Sequence, residues 1–288
     1  MTFKILSDFD GVWTDQTIEA ESITLFMAAE LARLADRPSN RVLADVRQFA
    51  EVARSAPELH GWNPGGRLTA YVDEDPFCTP NSVALAMERD GGEVAGRYVD
   101  AMRAAGFADG CAFADHCFFG GSAAYKQAHP PAMVPGSRDA LRELQRAGAE
   151  VVVVSNSSAE KLLAWFNSTG VDAREDSGGE LRVVGSAGKW VLGESDEGLT
   201  VGGRLVRTDR PKYRHVLEAE AADLVIGDVF SLDLALPSAM HAEGNPGGTA
   251  QRVLRRHDHS PAWVVDTLAD GHLTAVVDGV EDLLPLIS

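Results

Sequence analysis

Val151-Val152-Val153-Val154 is an uninterrupted run of β-branched residues. A strand with no polar alternation has to be covered on both faces, which is the condition of a parallel sheet packed between helices. Phe3-Lys4-Ile5-Leu6 and Leu224-Val225-Ile226 read as two further short strands, and another is expected at Leu181–Val184. Helical periodicity over 137–147, 159–168 and 211–221 separates these runs. Alternating strands and helices predict an α/β, Rossmann-like parallel sheet.

Each of the three strong strands ends on polar residues. Asp8 and Asp10 follow the first, Ser155 and Asn156 the second, and Asp228 and Asp233 the third. Parallel strands end on one edge of the sheet, so clusters far apart in sequence converge there, where open α/β sheets bind ligands. Carboxylates brought so close repel one another and call for a cation. Hard oxygen donors suit Mg2+.

The chain between these motifs has a different character. Glu21–Ala35 and Arg41–Arg54 are periodic and helical, Leu59–Pro80 reads as irregular loops, and Ser82–Met102 is helical with a weak point at Gly91-Gly92. Asp109–Gly121 reads as a loop rich in glycine and aromatic residues. The expected division is a core of residues 1–15 and 133–288 interrupted by a mainly α-helical insertion, 16–132, on linkers near 15–20 and 125–135. Paired linkers can act as a hinge. Loops 61–80 and 114–121, with Tyr71 and Phe118, are the expected substrate contacts. In the last third, a hairpin is expected over Gly193–Arg207, strands at Trp263–Val265 and Leu273–Val277, and a terminal helix at Val280–Ile287.

The net charge of −17, from 43 acidic and 26 basic residues, argues against nucleic acid or an anionic membrane surface as partner. It leaves open a small phosphorylated molecule, which needs only local positive charge. Three scattered cysteines, Cys78, Cys111 and Cys117, form no disulfide framework, and no apolar segment approaches membrane-spanning length. A cytoplasmic location is expected.

Asp8-Phe9-Asp10-Gly11-Val12-Trp13-Thr14-Asp15 resembles the first motif of the haloacid dehalogenase superfamily, Val151–Ser155 its second, and Gly227-Asp228-Val229-Phe230-Ser231-Leu232-Asp233 its fourth. The resemblance implies a Rossmann-like core with a helical cap inserted after the first motif, the segment that governs substrate specificity. It implies Asp8 as nucleophile and Asp10 as acid and base. Asp8, Asp228 and the Asp10 carbonyl would hold Mg2+, supported by Asp233, while Ser155, with Asn156 and Gly11, would bind the phosphoryl group. Dehalogenases of this family lack a carboxylate at the position of Asp10, so the resemblance favours a phosphatase acting on a small phosphorylated metabolite. A phosphomutase, or a catalytically silent binding protein of the same fold, is the alternative. Val12 departs from the Thr often found at its position.

The third motif, a cation, has three candidates: Lys189, Lys212 and Arg210. His257-Asp258-His259 is expected to be a solvated loop, and Asp115-His116-Cys117 lacks a partner pair for zinc. No Gly-x-Ser-x-Gly elbow or phosphate-binding glycine loop occurs.

Overall fold

A computed structural model describes residues 2–287 and divides the chain into two compact units: everything up to Asp15 together with everything from Pro131 onward, and Gln16–Pro130. The first unit is built on a seven-stranded parallel sheet. Its strands are β1 (Phe3–Ser7), β2 (Ala149–Val154), β3 (Ala173–Arg174), β4 (Leu181–Val184), β5 (Leu224–Gly227), β6 (Gln251–Arg255) and β7 (Ala275–Val277). In space they run β7-β6-β5-β1-β2-β4-β3. β1 is central, with Ile5 opposite Val151 on one side and Leu224 on the other. The strand order therefore reverses at β1, and the carboxyl ends of β1, β2 and β5 stand side by side.

The second unit is helical: α1 (Gln16–Leu34), α2 (Ser39–Ser55), α3 (Thr79–Asp90), α4 (Glu93–Ala104) and α5 (Gly110–Ala128). Met27, Leu31, Val46, Val83, Tyr98 and Phe113 pack in its core. The loop expected at 109–121 is instead α5. Asp109 caps it by accepting a hydrogen bond from the Ala112 N–H at 2.8 Å. Glycine lowers helix propensity, but Gly121 earns its place by close approach: a Cβ there would stand 2.6 Å from Ile23 Cα on α1. Residues 114–121 are thus part of a helix and not a loop. The segments expected as linkers at 15–20 and 125–128 are likewise helical ends.

Helices α6 (Ser137–Arg146), α7 (Ala159–Ser168), α8 (Pro211–Glu220) and α9 (Ala235–Ala242) belong to the first unit. Leu141, Leu144, Leu162 and Phe166 join Ile5, Val151, Val153 and Ile226 in one core cluster. Full burial of one such side chain is worth roughly 1.5–3 kcal/mol. The hairpin is present, Gly198–Val201 against Arg204–Arg207, antiparallel and turning at Gly202-Gly203.

Two expectations for the tail are corrected, and one strand was not expected. Trp263–Val265 lies in a short helix, Ala262–Val265, following Pro261. The strand neighbouring β5 is β6, whose sequence Gln-Arg-Val-Leu-Arg carries too little apolar signal to read as buried. It is buried because the Arg252 guanidinium donates to the carbonyls of Thr249, Ala250, Gly271 and His272. The terminal turns, Val280–Leu286, are 3-10 in type and not α-helical, with Pro285 inside them. Among the described residues no helix is long and apolar enough to cross a membrane.

Candidate active site

Asp8 is the first residue beyond β1, and its N–H donates to the Ile226 carbonyl at 2.8 Å, tying it to the end of β5. The loop that follows is pinned from inside. Buried Trp13 donates its indole N–H to Ser7 Oγ at 2.8 Å, and Ser7 Oγ–H donates to the Asp8 carbonyl at 2.7 Å. Val12 is buried among apolar residues. Gly11 has φ of +75°, and a Cβ on it would overlap the Asp228 carboxylate. Only glycine lets this loop lie against Asp228.

Asp228 follows β5, and a single π-helical turn, Phe230–Leu234, brings Asp233 back over it. Asp233 Oδ2 accepts the Val229 N–H at 3.2 Å, and Oδ1 accepts the Lys189 ammonium at 2.8 Å. Lys189 Nζ also lies 2.5 Å from Asp8 Oδ1 and is only 2% exposed. Of the three candidate cations, Lys189 is the one beside Asp8. Asn156 Oδ1 accepts the Lys189 N–H at 2.8 Å, so Asn156 shapes the lysine loop. Arg210 is fully buried and donates to the carbonyls of Lys189 and Arg207, bracing the same loop from behind. Lys212 is not part of the cluster. It is exposed at the start of α8, its stem lies against Gly188, and it makes no ion pair among the described residues.

Ser155 is buried just past β2, where its Oγ accepts the Ser157 N–H at 3.1 Å and its N–H donates to the Val184 carbonyl at 3.1 Å. Asp10 is half-buried, and its charge acts on Asp8.

Asp8, Asp228 and Asp233 each offer a carboxylate oxygen within 4.8 Å of the others. The Asp10 carboxylate is outside that group, so any contribution of Asp10 to a metal would come through its backbone carbonyl. Burial, then the charge of Asp233, push the Asp8 carboxyl well above the usual range, against the pull of Lys189. Burial also works against the Lys189 charge, but Asp233 and Asp8 override it and hold the ammonium protonated. One ammonium cannot neutralise three carboxylates, so the donor set fits a divalent cation with oxygen ligands.

His257 and Arg255 were not expected here. His257 Nε2 lies 3.4 Å from Asp228 Oδ2, and its ring stacks on His259 with centroids 4.9 Å apart. Burial, then Arg255, push the His257 pKa down to about 4; burial and then His257 do the same to His259. Of the solvated loop expected at 257–259, only Asp258 is exposed, and His257 and His259 are half-buried. Recognising β6 as the neighbour of β5 is the signal that places a histidine at this sheet edge.

No family model matches the chain, and no curated protein does. Among solved structures it is similar to CbbY from Rhodobacter sphaeroides in complex with phosphate, at 13% identity over 98% of this chain and 96% of that one, TM-score 0.47. It is also similar to YfnB from Bacillus subtilis bound to magnesium, at 12% identity over 99% and 98%, TM-score 0.45. A third is the 2-haloacid dehalogenase from Pseudomonas syringae pv. Tomato DC3000, at 14% identity over 100% and 98%, TM-score 0.43.

Proposed function

We propose that this chain, whose core fold and motif order are those of the haloacid dehalogenase superfamily, is a magnesium-dependent phosphatase acting on a small phosphorylated metabolite. The observation that carries the reading is the cluster of half-buried Asp8 with buried Lys189, Asp228 and Asp233, and Asp10 two residues beyond Asp8.

In this reading an oxygen of Asp8 attacks phosphorus and the bond to the leaving oxygen breaks. Asp10 gives that oxygen its proton, leaving an aspartyl-phosphate on Asp8. Asp10 then takes a proton from water, whose oxygen attacks phosphorus, and inorganic phosphate departs as the Asp8 carboxylate is restored. Lys189 steadies one Asp8 oxygen and offsets charge on the phosphoryl group. Ser155 supplies a hydroxyl for the phosphoryl oxygens. Mg2+, held by Asp8, Asp228 and the Asp10 carbonyl, would neutralise the carboxylates and draw charge from the phosphoryl oxygens. Asp10 is the reason to prefer a phosphate ester over a haloacid. An alkoxide leaving group needs a proton, and a halide does not.

The helical unit is assigned substrate specificity as part of the same proposal, and a cytoplasmic location accompanies it. The test is phosphate release from a panel of phosphorylated metabolites and a generic aryl phosphate, with Mg2+ and with chelator. Mg2+-dependent release that Asp8→Asn abolishes is the expected result. No release from any ester would leave a binding protein. Conversion to a positional isomer, with an activating bisphosphate, would make it a mutase.

A further inference from the structure

We infer that Arg255 and His257 are positioning residues that together fix the Asp228 carboxylate in the orientation a divalent cation requires. The inference rests on the proposed role of Asp228 as a metal ligand. β5 and β6 are neighbours, with Gly227 paired to Leu254, so Asp228 and His257 both lie just past adjacent strand ends. His257 Nε2 is 3.4 Å from Asp228 Oδ2, and the imidazole also hydrogen-bonds to the Gly11 backbone. One ring thus touches both the loop that carries Asp8 and the carboxylate of Asp228.

The residue that carries the ring is anchored through its backbone, and one face of the ring is covered. Its backbone N–H donates to Ser260 Oγ at 2.9 Å, and its carbonyl accepts the Ser260 N–H at 3.0 Å. The preceding residue is anchored by Arg256 N–H donating to the Val277 carbonyl at 2.7 Å and by the Arg256 guanidinium on Asp278. His259 covers one face of the ring at an interplanar angle of 11°.

Arg255 bears on which nitrogen carries the proton. Its Nη1 contacts both ring nitrogens and lies nearer to Nδ1. A guanidinium has only donors, and a neutral imidazole accepts on one nitrogen alone. The inferred arrangement gives the lone pair of Nδ1 to Arg255 and keeps the single N–H on Nε2, the nitrogen nearest Asp228. The outer partners of a metal-binding carboxylate govern its orientation, and losing one costs about 10–100-fold in metal affinity.

The experiment is Mg2+ binding to the full chain by titration calorimetry, which needs no turnover, on His257→Leu, His257→Gln, Arg255→Met and Asp228→Asn. His257→Leu is expected to weaken Mg2+ binding about 10–100-fold. His257→Gln, which keeps an N–H donor on a side chain of similar reach, should restore most of it, and Arg255→Met should weaken binding by a smaller factor. Should His257→Leu fail to fold, the Gln and Met variants carry the comparison. Wild-type affinity in His257→Leu, or in Arg255→Met, overturns the inference. So does a Gln variant no better than Leu, which would mark His257 as mere packing. Asp228→Asn separates the two levels: if it retains wild-type affinity, the metal assignment itself fails; if it alone loses Mg2+, only the roles of Arg255 and His257 fail.

Discussion

Lys189 Nζ lies 2.5 Å from Asp8 Oδ1, although 181 positions separate the two residues in the chain. The same ammonium is 2.8 Å from Asp233 Oδ1, and it is buried. Lys189→Met should therefore leave a cluster of uncompensated carboxylates. The metal-free protein should lose about 3–5 kcal/mol of stability, the usual cost of removing one partner of a buried ion pair. Turnover should fall at least about 100-fold, while Mg2+ should still bind, because the cluster has become more negative. Lys189→Arg should not rescue, since a planar guanidinium does not fit a slot built for a compact ammonium. Thermal melts and phosphate release check this, and wild-type turnover by the Met variant would remove Lys189 from the machinery.

Gly11→Ala tests the contact between the Asp8 loop and Asp228. Alanine at a positive φ costs about 1–2 kcal/mol, and its Cβ would overlap the Asp228 carboxylate. The expected outcome is a melting temperature lower by a few degrees and Mg2+ affinity reduced more than about tenfold. Calorimetric titration decides; unchanged affinity would show that Asp228 can yield without loss.

Acid stability should be governed in part by His257 and His259, whose pKa values are both lowered to about 4. The unfolded chain binds these protons near pH 6.5 and the folded chain only near pH 4. Between those values the unfolded state holds more protons, so stability falls as pH drops from about 6.5 towards 4. Asp8, with its raised pKa, runs the other way, and comparing variants cancels its contribution. Urea midpoints across this window should fall less steeply for His259→Gln than for wild type. Identical slopes would mean that His259 takes up its proton in the folded state as readily as in the unfolded one.

Gly121→Val should destabilise the helical unit, because its side chain would be driven into the Ile23 backbone of α1. Overpacking of this kind costs about 1–3 kcal/mol. Calorimetry should show a lowered transition, and an unchanged one would mean that α1 and α5 can separate without penalty.

Much of the core was legible because burial writes itself into local sequence. Val151–Val154 and Leu224–Ile226 announce strands covered on both faces, and the polar residues ending them lie on one edge of any parallel sheet. Asp8, Ser155 and Asp228 could be singled out on that ground alone. Helix α5 and strand β6 were not legible, because their signals are tertiary. Gly121 reads as a breaker until Ile23 stands beside it, and Arg252 reads as exposed until carbonyls from the neighbouring loops surround its guanidinium. The choice among Lys189, Arg210 and Lys212 was only partly open to sequence, where the place of Lys189 just past the expected third strand favoured it. All three follow β4 within one stretch of chain, and only packing decides that the first faces Asp8, the second braces it, and the third remains in solvent. His257 belongs with them. Periodicity records how a segment is buried, but which charge meets which carboxylate depends on residues brought together across the sheet edge, and no local pattern encodes that meeting.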